Sequence, residues 1–268
     1  MTASDASRAR AFDGWAGDYD RFRPGYPDAL FATIASRLTL PRVPHAVDLG
    51  AGTGRASLAM AGLGWRVTAV EPGKAMLDVL RGRATNEGLL ISTVQASAED
   101  TGLDPASADL VTAAQAFHWF DRDAALTEMA RILKPGGGLA LFWNVRDASR
   151  SPFLADYAKV LQRYVGDADA GRYEASLPED TTRRAIEAHD VFRDVQLIQL
   201  QHEMTMTDEE FIGMVFTASY VRVRKTADEQ DRFRLDLAAL LGRHNLNDGR
   251  AFAVPYRLDL WTARRSDR

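Results

Sequence analysis

A glycine-rich stretch between residues 47 and 54 is the strongest chemical signal in the chain. It reads Val47-Asp-Leu-Gly-Ala-Gly-Thr-Gly54 and follows a short apolar run. Glycine adopts backbone conformations that other residues avoid, and it lets a ligand approach the main chain. A helix that begins just beyond such a stretch adds the positive end of its dipole. The stretch therefore predicts a ligand-binding turn between a strand and a helix, although such turns serve several kinds of ligand.

Three further residues restrict the kind of ligand. Arg55 stands where a dinucleotide-binding turn needs a small residue for close helix–strand packing. Asp48 precedes the first glycine of the turn, and its carboxylate would repel a pyrophosphate but attract an ammonium or sulfonium group. Glu71 ends the next apolar run, where an acidic side chain can accept ribose hydroxyls. Together they predict a site for a cationic, ribose-bearing ligand without phosphates, a description that S-adenosylmethionine fits and NAD does not.

The elements that must position these residues follow one another at regular intervals. Short β-rich runs stand at residues 45–49, 66–70, 89–94, 109–114 and 139–143. Between the last two runs, apolar residues recur at helical spacing after Asp121, which is a good N-cap residue. Strand and helix in repeated alternation predict a parallel sheet with helices on both faces, an α/β fold.

After residue 144 the pattern changes. The sequence predicts mostly helix over 150–190, a strand over 191–206, an amphipathic helix over 208–220, another helix over 226–244 and a closing strand over 251–263. Pro255 favours an edge position or a bulge for the closing strand, because proline cannot donate to a sheet ladder. With no internal repeat and no low-complexity linker, the sequence predicts one domain that carries a helical insertion.

Composition excludes several classes of protein. The 268 residues carry a formal net charge of −4 and are 46% hydrophobic, which excludes a chain that is mainly disordered and argues against a general nucleic-acid binder. The absence of cysteine excludes disulfides, thiolate metal sites and a cysteine nucleophile. No apolar run reaches the ~20 residues that span a bilayer, and the N-terminus lacks a signal-like apolar stretch. We expect a cytoplasmic protein with no membrane, nucleic-acid or metal partner.

The order and spacing of several stretches resemble the class I S-adenosylmethionine-dependent methyltransferases. These stretches are Asp48–Gly54, Val70–Pro72, Ala96–Glu99, Asp109–Val111, Gln115–Phe120 and Glu128–Gly137. The resemblance covers residues 12 to 145 well and the remainder more loosely. It implies a Rossmann-like, seven-stranded, mostly parallel sheet with the last strand antiparallel, helices on both faces and a helical cap.

The same resemblance implies one methyltransferase domain over residues 1–268. Residues 1–43 would form N-terminal lid helices, 44–145 the cofactor-binding core, and 146–190 with 207–245 the helical cap on the substrate side. The segments Tyr19–Pro27 and Phe117–Phe120 look like the branch that contains trans-aconitate methyltransferase, whose acceptors are small molecules.

Site residues are implied in the same way. Gly50 and Gly52 would lie against the methionine part of S-adenosylmethionine, and Asp48 would hold its amino group directly or through water. Glu71 would accept the two ribose hydroxyls. The other expected cofactor contacts are Pro72 and Met76 beside the sugar and adenine, Ser97, Ala98 and Glu99 at the adenine edge, Gln115 near the sulfonium, and Tyr19 and Arg23 in the lid. The family often has aspartate at the position of Ser97, which favours the backbone amide of Ala98 as the adenine contact.

The acceptor side is defined less sharply. His118 follows the fourth strand and is either a general base, since imidazole titrates near neutrality, or a wall residue of the pocket. Trp119, Trp143 and Tyr220 are candidates for apolar walls of the acceptor pocket. Arg23 and Arg146 could pair with an acceptor carboxylate.

The function expected from these observations is methyl transfer to a small molecule, at the oxygen of a carboxylate or hydroxyl, by a monomer or homodimer. The alternatives are an S-adenosylmethionine-binding protein with a regulatory or cyclisation role and an N- or C-methyltransferase. A nicotinamide oxidoreductase is disfavoured by Arg55 and Asp48.

Overall fold

The computed structural model describes residues 16–166, 179–218, 221 and 225–267. Seven strands form one sheet within these residues. They are β1 (His45–Leu49), β2 (Arg66–Val70), β3 (Ile91–Val94), β4 (Ala108–Ala114), β5 (Leu133–Arg146), β6 (Phe192–Met206) and β7 (Phe252–Arg265). Their order is β3-β2-β1-β4-β5-β7-β6, and only β7 runs antiparallel to its neighbours. This confirms the predicted fold class, including the antiparallel last strand.

The helices lie between the strands and in the C-terminal region, as the sequence predicts, although the helix predicted over 208–220 ends at Phe216. They are α1 (Ala16–Phe22), α2 (Asp28–Arg37), α3 (Arg55–Gly62), α4 (Lys74–Asn86), α5 (Arg122–Ile132), α6 (Pro152–Val165), α7 (Glu179–Glu187), α8 (Asp208–Phe216) and α9 (Ala227–Arg243). Asp121 caps α5 as predicted, because its side chain accepts the backbone N–H of Ala124. Capping boxes begin both α8 and α9, which fixes where these cap helices start.

The central strands are buried on both faces. Val47, Val111 and Leu141 pack on the α5 side of the sheet, and Ala46 and Phe142 belong to the cluster on the other side. A strand covered on both faces is apolar along its whole length, which explains the continuous runs in the sequence. The parallel strands β1, β2 and β4 therefore end at one edge of the sheet, where the loops that follow them meet.

A separate apolar cluster forms the cap. It joins α6, α8 and α9 to the start of β7 through buried side chains such as Phe153, Phe211 and Phe233. Helix α1 packs on this cap through the ring of Phe22. A Cβ atom added at Gly213 would lie only 2.7 Å from that ring. Glycine at position 213 thus allows α1 to approach α8 closely.

Pro255 differs from its predicted place. Strand β7 lies between β5 and β6, so it is not an edge strand. The pairing of β5 with β7 ends at Arg146 and Tyr256, one residue before Pro255 is reached. The carbonyl of Pro255 accepts the N–H of Asp147, the residue that follows β5. The backbone nitrogen of Pro255 therefore faces the chain beyond the end of β5, where no strand needs its N–H. No ladder hydrogen bond is lost, and an inner strand tolerates the proline.

Candidate active site

A cavity lies at the carboxyl ends of β1, β2 and β4, where the order of the strands reverses. The segment that joins α1 to α2 forms part of its wall. Such a crevice is the usual ligand site of an open α/β sheet. Many predicted site residues line it: Arg23, Gly50, Gly52, Glu71, Pro72, Met76, Ser97, Ala98, Glu99, Gln115 and Trp119. The structure thus brings together residues that are scattered over almost a hundred positions of sequence.

The glycines of the β1–α3 loop have different roles. Gly50, Gly52 and Gly54 all have positive φ, at 65°, 56° and 87°. A Cβ atom at Gly50 would lie 2.7 Å from the Cβ of Ala116, and one at Gly54 would lie 2.6 Å from Cγ of Leu80. A Cβ at Gly52 would meet nothing within 4 Å. Gly50 and Gly54 therefore serve the packing of the loop, whereas Gly52 presents bare backbone at the cavity.

The carboxylate of Glu71 joins the glycine loop to the start of α4. Its Oε2 accepts the N–H of Gly52 at 3.0 Å, and its Oε1 accepts the N–H of Gly73 at 2.8 Å. An ionised carboxylate has about four lone-pair sites, so these two bonds leave capacity for further donors. Glu71 lines the cavity and is placed to accept hydroxyl groups there.

Asp48 lies beneath the loop and not on the cavity wall. Its side chain is 1% exposed, and its two oxygens accept hydrogen bonds from Ser57 Oγ at 2.6 Å and Thr112 Oγ1 at 2.9 Å. Burial raises the pKa of Asp48 to about 6, although both hydrogen bonds act in the opposite direction. The carboxylate of Asp48 therefore contributes to the electrostatic potential beneath the loop but is not exposed to the cavity.

Gln115 follows β4 in a constrained conformation. Its φ is 56°, in the left-handed region that few non-glycine residues adopt. Its backbone N–H donates to Phe142, and its Nε2 donates to the carbonyl of Asn144 at 3.1 Å. Unusual backbone conformations of this kind concentrate at functional sites. The two bonds hold Gln115 at the cavity wall.

The partly buried His118 pairs with the buried Trp143 beside the cavity. Trp143 is 2% exposed, and its Nε1 donates to Nδ1 of His118 at 3.2 Å. Burial and the nearby charges of Arg23 and Arg122 lower the pKa of His118 to about 4. The imidazole is therefore neutral at pH 7, its lone pair faces the indole donor, and its proton lies on Nε2. Of the two roles that the sequence leaves open for His118, this arrangement disfavours the general base, and it places Trp143 in the core and not on the acceptor wall.

Several cavity residues were not among the predicted contacts. Tyr26 lines the cavity and packs edge-on against Phe142, with ring centroids 5.0 Å apart. Phe120 lines it too, in edge contact with Phe117. Arg55, whose size argues against a dinucleotide site, lies on the cavity wall. Its Nε is 3.7 Å from Oδ1 of Asp20 in α1. The signal for Tyr26 and Phe120 was that each stands in a stretch, Tyr19–Pro27 or Phe117–Phe120, that carries the resemblance to the trans-aconitate methyltransferase branch.

Two predicted contacts cannot be placed in this way. The side chain of Tyr19 and the whole of Tyr220 lie outside the described residues. Over those same described ranges, no group of three or more His, Cys, Asp or Glu side chains could hold a metal ion. Nor does any helix in the described part combine the length and apolar character needed to cross a membrane.

Comparison with known proteins agrees with this geometry. A family model for a methyltransferase domain matches residues 47–141. An uncharacterized methyltransferase of Mycobacterium tuberculosis is 33% identical over 261 residues, which cover 96% of each chain. A candidate type II methyltransferase of Anaeromyxobacter dehalogenans, of known structure, is 29% identical with a TM-score of 0.64, over 92% of this chain and 100% of that one.

The fold is shared with a more distant enzyme whose structure contains the cofactor product. The phosphoethanolamine N-methyltransferase 2 of Haemonchus contortus, solved with S-adenosylhomocysteine, is 16% identical with a TM-score of 0.59, over 99% of this chain and 61% of that one. The bare backbone at Gly52 and the carboxylate of Glu71 fit a nucleoside that carries ribose hydroxyls and no phosphate. The chain therefore belongs to the S-adenosylmethionine-dependent methyltransferases, and S-adenosylmethionine is its cofactor.

Proposed function

We propose that the protein methylates a small molecule, and that the acceptor atom is an oxygen of a carboxylate or hydroxyl group. The observation that carries this proposal is that the segment between α1 and α2 shares the cavity wall with the glycine loop. Arg23, Pro24 and Tyr26, from that segment, line the cavity together with Gly50 and Gly52. A concave space lined by both segments suits a small acceptor better than a protein side chain or a nucleic acid. The net charge of −4 also disfavours nucleic acid.

The cofactor-binding roles are part of the proposal. When bound, S-adenosylmethionine supplies an electrophilic methyl group on a sulfonium centre. Glu71 would accept the ribose hydroxyls while it still holds Gly52, and the bare backbone of Gly52 would allow close approach. Pro72 and Met76 would pack against the sugar and adenine, with Ser97, Ala98 and Glu99 at the adenine edge.

The acceptor side needs orientation more than proton transfer. A carboxylate or phenolate acceptor is already a nucleophile, and the lone pair of His118 faces Trp143. The work of the chain is then to hold the acceptor oxygen in line with the methyl group and to exclude water. Trp119 and Phe120 supply the apolar wall for this, and Gln115 lies beside them.

The similarity of Tyr19–Pro27 and Phe117–Phe120 to the trans-aconitate methyltransferase branch supports an acidic small-molecule acceptor. The absence of cysteine supports a cytoplasmic location, which we include in the proposal. Nitrogen is the competing acceptor atom, since the Haemonchus contortus enzyme is by name an N-methyltransferase.

A screen with labelled S-adenosylmethionine tests the proposal. Panels of carboxylic acids, phenols and amines of matched size are incubated with the protein and with its Glu71→Ala variant as a control. We expect label in acids or phenols, with methyl esters recognised by their release in mild base. Label confined to amines would overturn the choice of oxygen. In parallel incubations with bulk protein and with nucleic acid, label found there and in none of the small molecules would overturn the small-molecule acceptor.

A further inference from the structure

We propose that Asn144 is a positioning residue that fastens the strap, defined as residues 23–27, over the cofactor cavity, with the imidazole of His202 fixing the orientation of its amide. The inference rests on the proposed function, since it assigns a role at the same cavity. It gives Asn144 and His202 a part in retaining the cofactor.

Asn144 connects three distant segments near the end of β5. Its Nδ2 donates to the carbonyl of Gly25 at 3.0 Å, and its Oδ1 lies 2.8 Å from Nε2 of His202 on β6. Its backbone carbonyl accepts from Nε2 of Gln115 at 3.1 Å. The strap, the residue after β4 and the edge strand β6 therefore all meet at one partly buried residue.

The strap contributes side chains to the cavity wall and is held through its backbone. Arg23, Pro24 and Tyr26 line the cavity. Gly25, between them, offers no side chain, and a Cβ added there would meet nothing within 4 Å. No side chain therefore fixes the middle of the strap by packing. The hydrogen bond from Asn144 to its carbonyl does so, and the ring contact of Tyr26 with Phe142 at 5.0 Å holds the following residue.

His202 decides which way the amide of Asn144 faces. The amide binds the Gly25 carbonyl only when Nδ2 points to the strap, which leaves Oδ1 toward His202. Nε2 of His202 must then be the protonated nitrogen, because Oδ1 is only an acceptor. The imidazole is held in place by stacking on Tyr256, with ring centroids 5.4 Å apart and an angle of 21°. Burial lowers the pKa of His202, which keeps the ring neutral.

The experiment measures access to the cavity and release of cofactor product separately. The chain has no cysteine, so Ala114→Cys places a single thiol in the cavity, in a residue that packs against the same cluster as Tyr26. The rate at which a maleimide reacts with this thiol, without cofactor, reports opening of the strap. Stopped-flow dissociation of S-adenosylhomocysteine from the full chain is the second measurement.

Three variants test the role of each group. Asn144→Ala removes the bond to Gly25, and we expect about tenfold faster thiol reaction and about tenfold faster dissociation of S-adenosylhomocysteine, with an intact fold by circular dichroism. Asn144→Asp keeps the acceptor for His202 but loses the donor to Gly25, so it should behave in the same way. His202→Phe keeps a ring on Tyr256 and removes the donor, and we expect a change of about threefold in both rates.

Gln201→Ala, at the exposed neighbour of His202 on β6, is the matched control and should leave both rates unchanged. Unchanged rates in Asn144→Ala, or equal changes in Gln201→Ala, would overturn the inference. The thiol measurement needs no cofactor. A wild-type chain that failed to bind S-adenosylhomocysteine would therefore count against the proposed function, while a faster thiol reaction in Asn144→Ala would still support the fastening of the strap.

Discussion

The two sides of the cavity are assembled over very different distances along the chain. On the side of β1 and β2, Gly52 bonds to Glu71, which is 19 residues away. On the side of the strap, Gly25 bonds to Asn144, 119 residues away, and Arg23 donates to the carbonyl of Thr217, 194 residues away. One strand–helix–strand unit builds the first side, so its chemistry is visible in a short stretch of sequence. The second side exists only after the whole sheet and cap have formed.

The largest expected effect lies on the first side. Glu71→Ala removes the proposed acceptor of the ribose hydroxyls and leaves the N–H groups of Gly52 and Gly73 without their carboxylate. We expect affinity for S-adenosylhomocysteine to fall by one to two orders of magnitude, a loss of about 1.5–3 kcal/mol for charged hydrogen bonds. Titration calorimetry measures it, with Glu87→Ala, at the exposed residue that follows α4, as the control. An affinity within twofold of wild type would remove the ribose assignment.

A pair of glycine variants separates backbone strain from loss of ligand space. Gly52 and Gly64 both have positive φ, and an added Cβ meets nothing within 4 Å at either position. Gly52→Ala and Gly64→Ala should therefore lose similar stability, about 1–2 kcal/mol. Only position 52 faces the cavity, so we expect Gly52→Ala alone to weaken binding of S-adenosylhomocysteine, by about tenfold, because its methyl group occupies cofactor space.

Thermal unfolding and calorimetry on the same two variants check this. Equal affinities in Gly52→Ala and Gly64→Ala would mean that the cofactor does not approach the loop at position 52, and the proposed cofactor site would need to move.

These two predictions concern the part of the molecule that the sequence describes well. The strand ends, the helix capped by Asp121 and the spacing from Gly52 to Glu71 are local features. Each depends on residues within one strand–helix–strand unit, so composition and periodicity carry them. The parallel arrangement follows from the same alternation, and the structure confirms it.

The strap side could not be predicted in the same way. Trp119 and Trp143 both stand near strand ends, yet one lines the cavity and the other is buried against His118. Strands that are covered on both faces show no polar alternation, so the sequence does not reveal which face Trp143 takes. The link from Asn144 to His202 depends on the register of β5, β7 and β6, for which no local signal exists.

The two tryptophans give a prediction for the second side. Trp119→Ala removes part of the apolar wall, and we expect the KM for the acceptor to rise about fivefold, for about 1 kcal/mol of lost apolar contact, with cofactor affinity unchanged. Trp143→Phe removes the donor to His118 and should lower the melting temperature while KM stays the same. Steady-state kinetics with an acceptor from the screen and thermal unfolding decide between them. The opposite assignment of the two effects would place the acceptor on the other side of the sheet.

The smallest expected effect comes from Asp48, which belongs to the first side but is hidden beneath it. Because burial raises its pKa to about 6, the carboxyl is protonated below that pH and ionised above it. The folded pKa is higher than that of the unfolded chain, so this group makes the protein less stable as pH rises from about 4 to about 6. Its charge should have the reverse effect on the cofactor, since a negative potential under the loop attracts an ammonium group.

We therefore expect affinity for S-adenosylhomocysteine to rise about threefold between about pH 5 and pH 7, and Asp48→Asn to abolish the rise. Ser57→Ala removes a hydrogen bond that lowers the pKa of Asp48, so the midpoint of the rise should move to higher pH. Calorimetry at several pH values tests both variants. A rise that persists in Asp48→Asn would assign the titration to another group. An unmoved midpoint in Ser57→Ala would show that the hydrogen bond from Ser57 does not lower the pKa of Asp48.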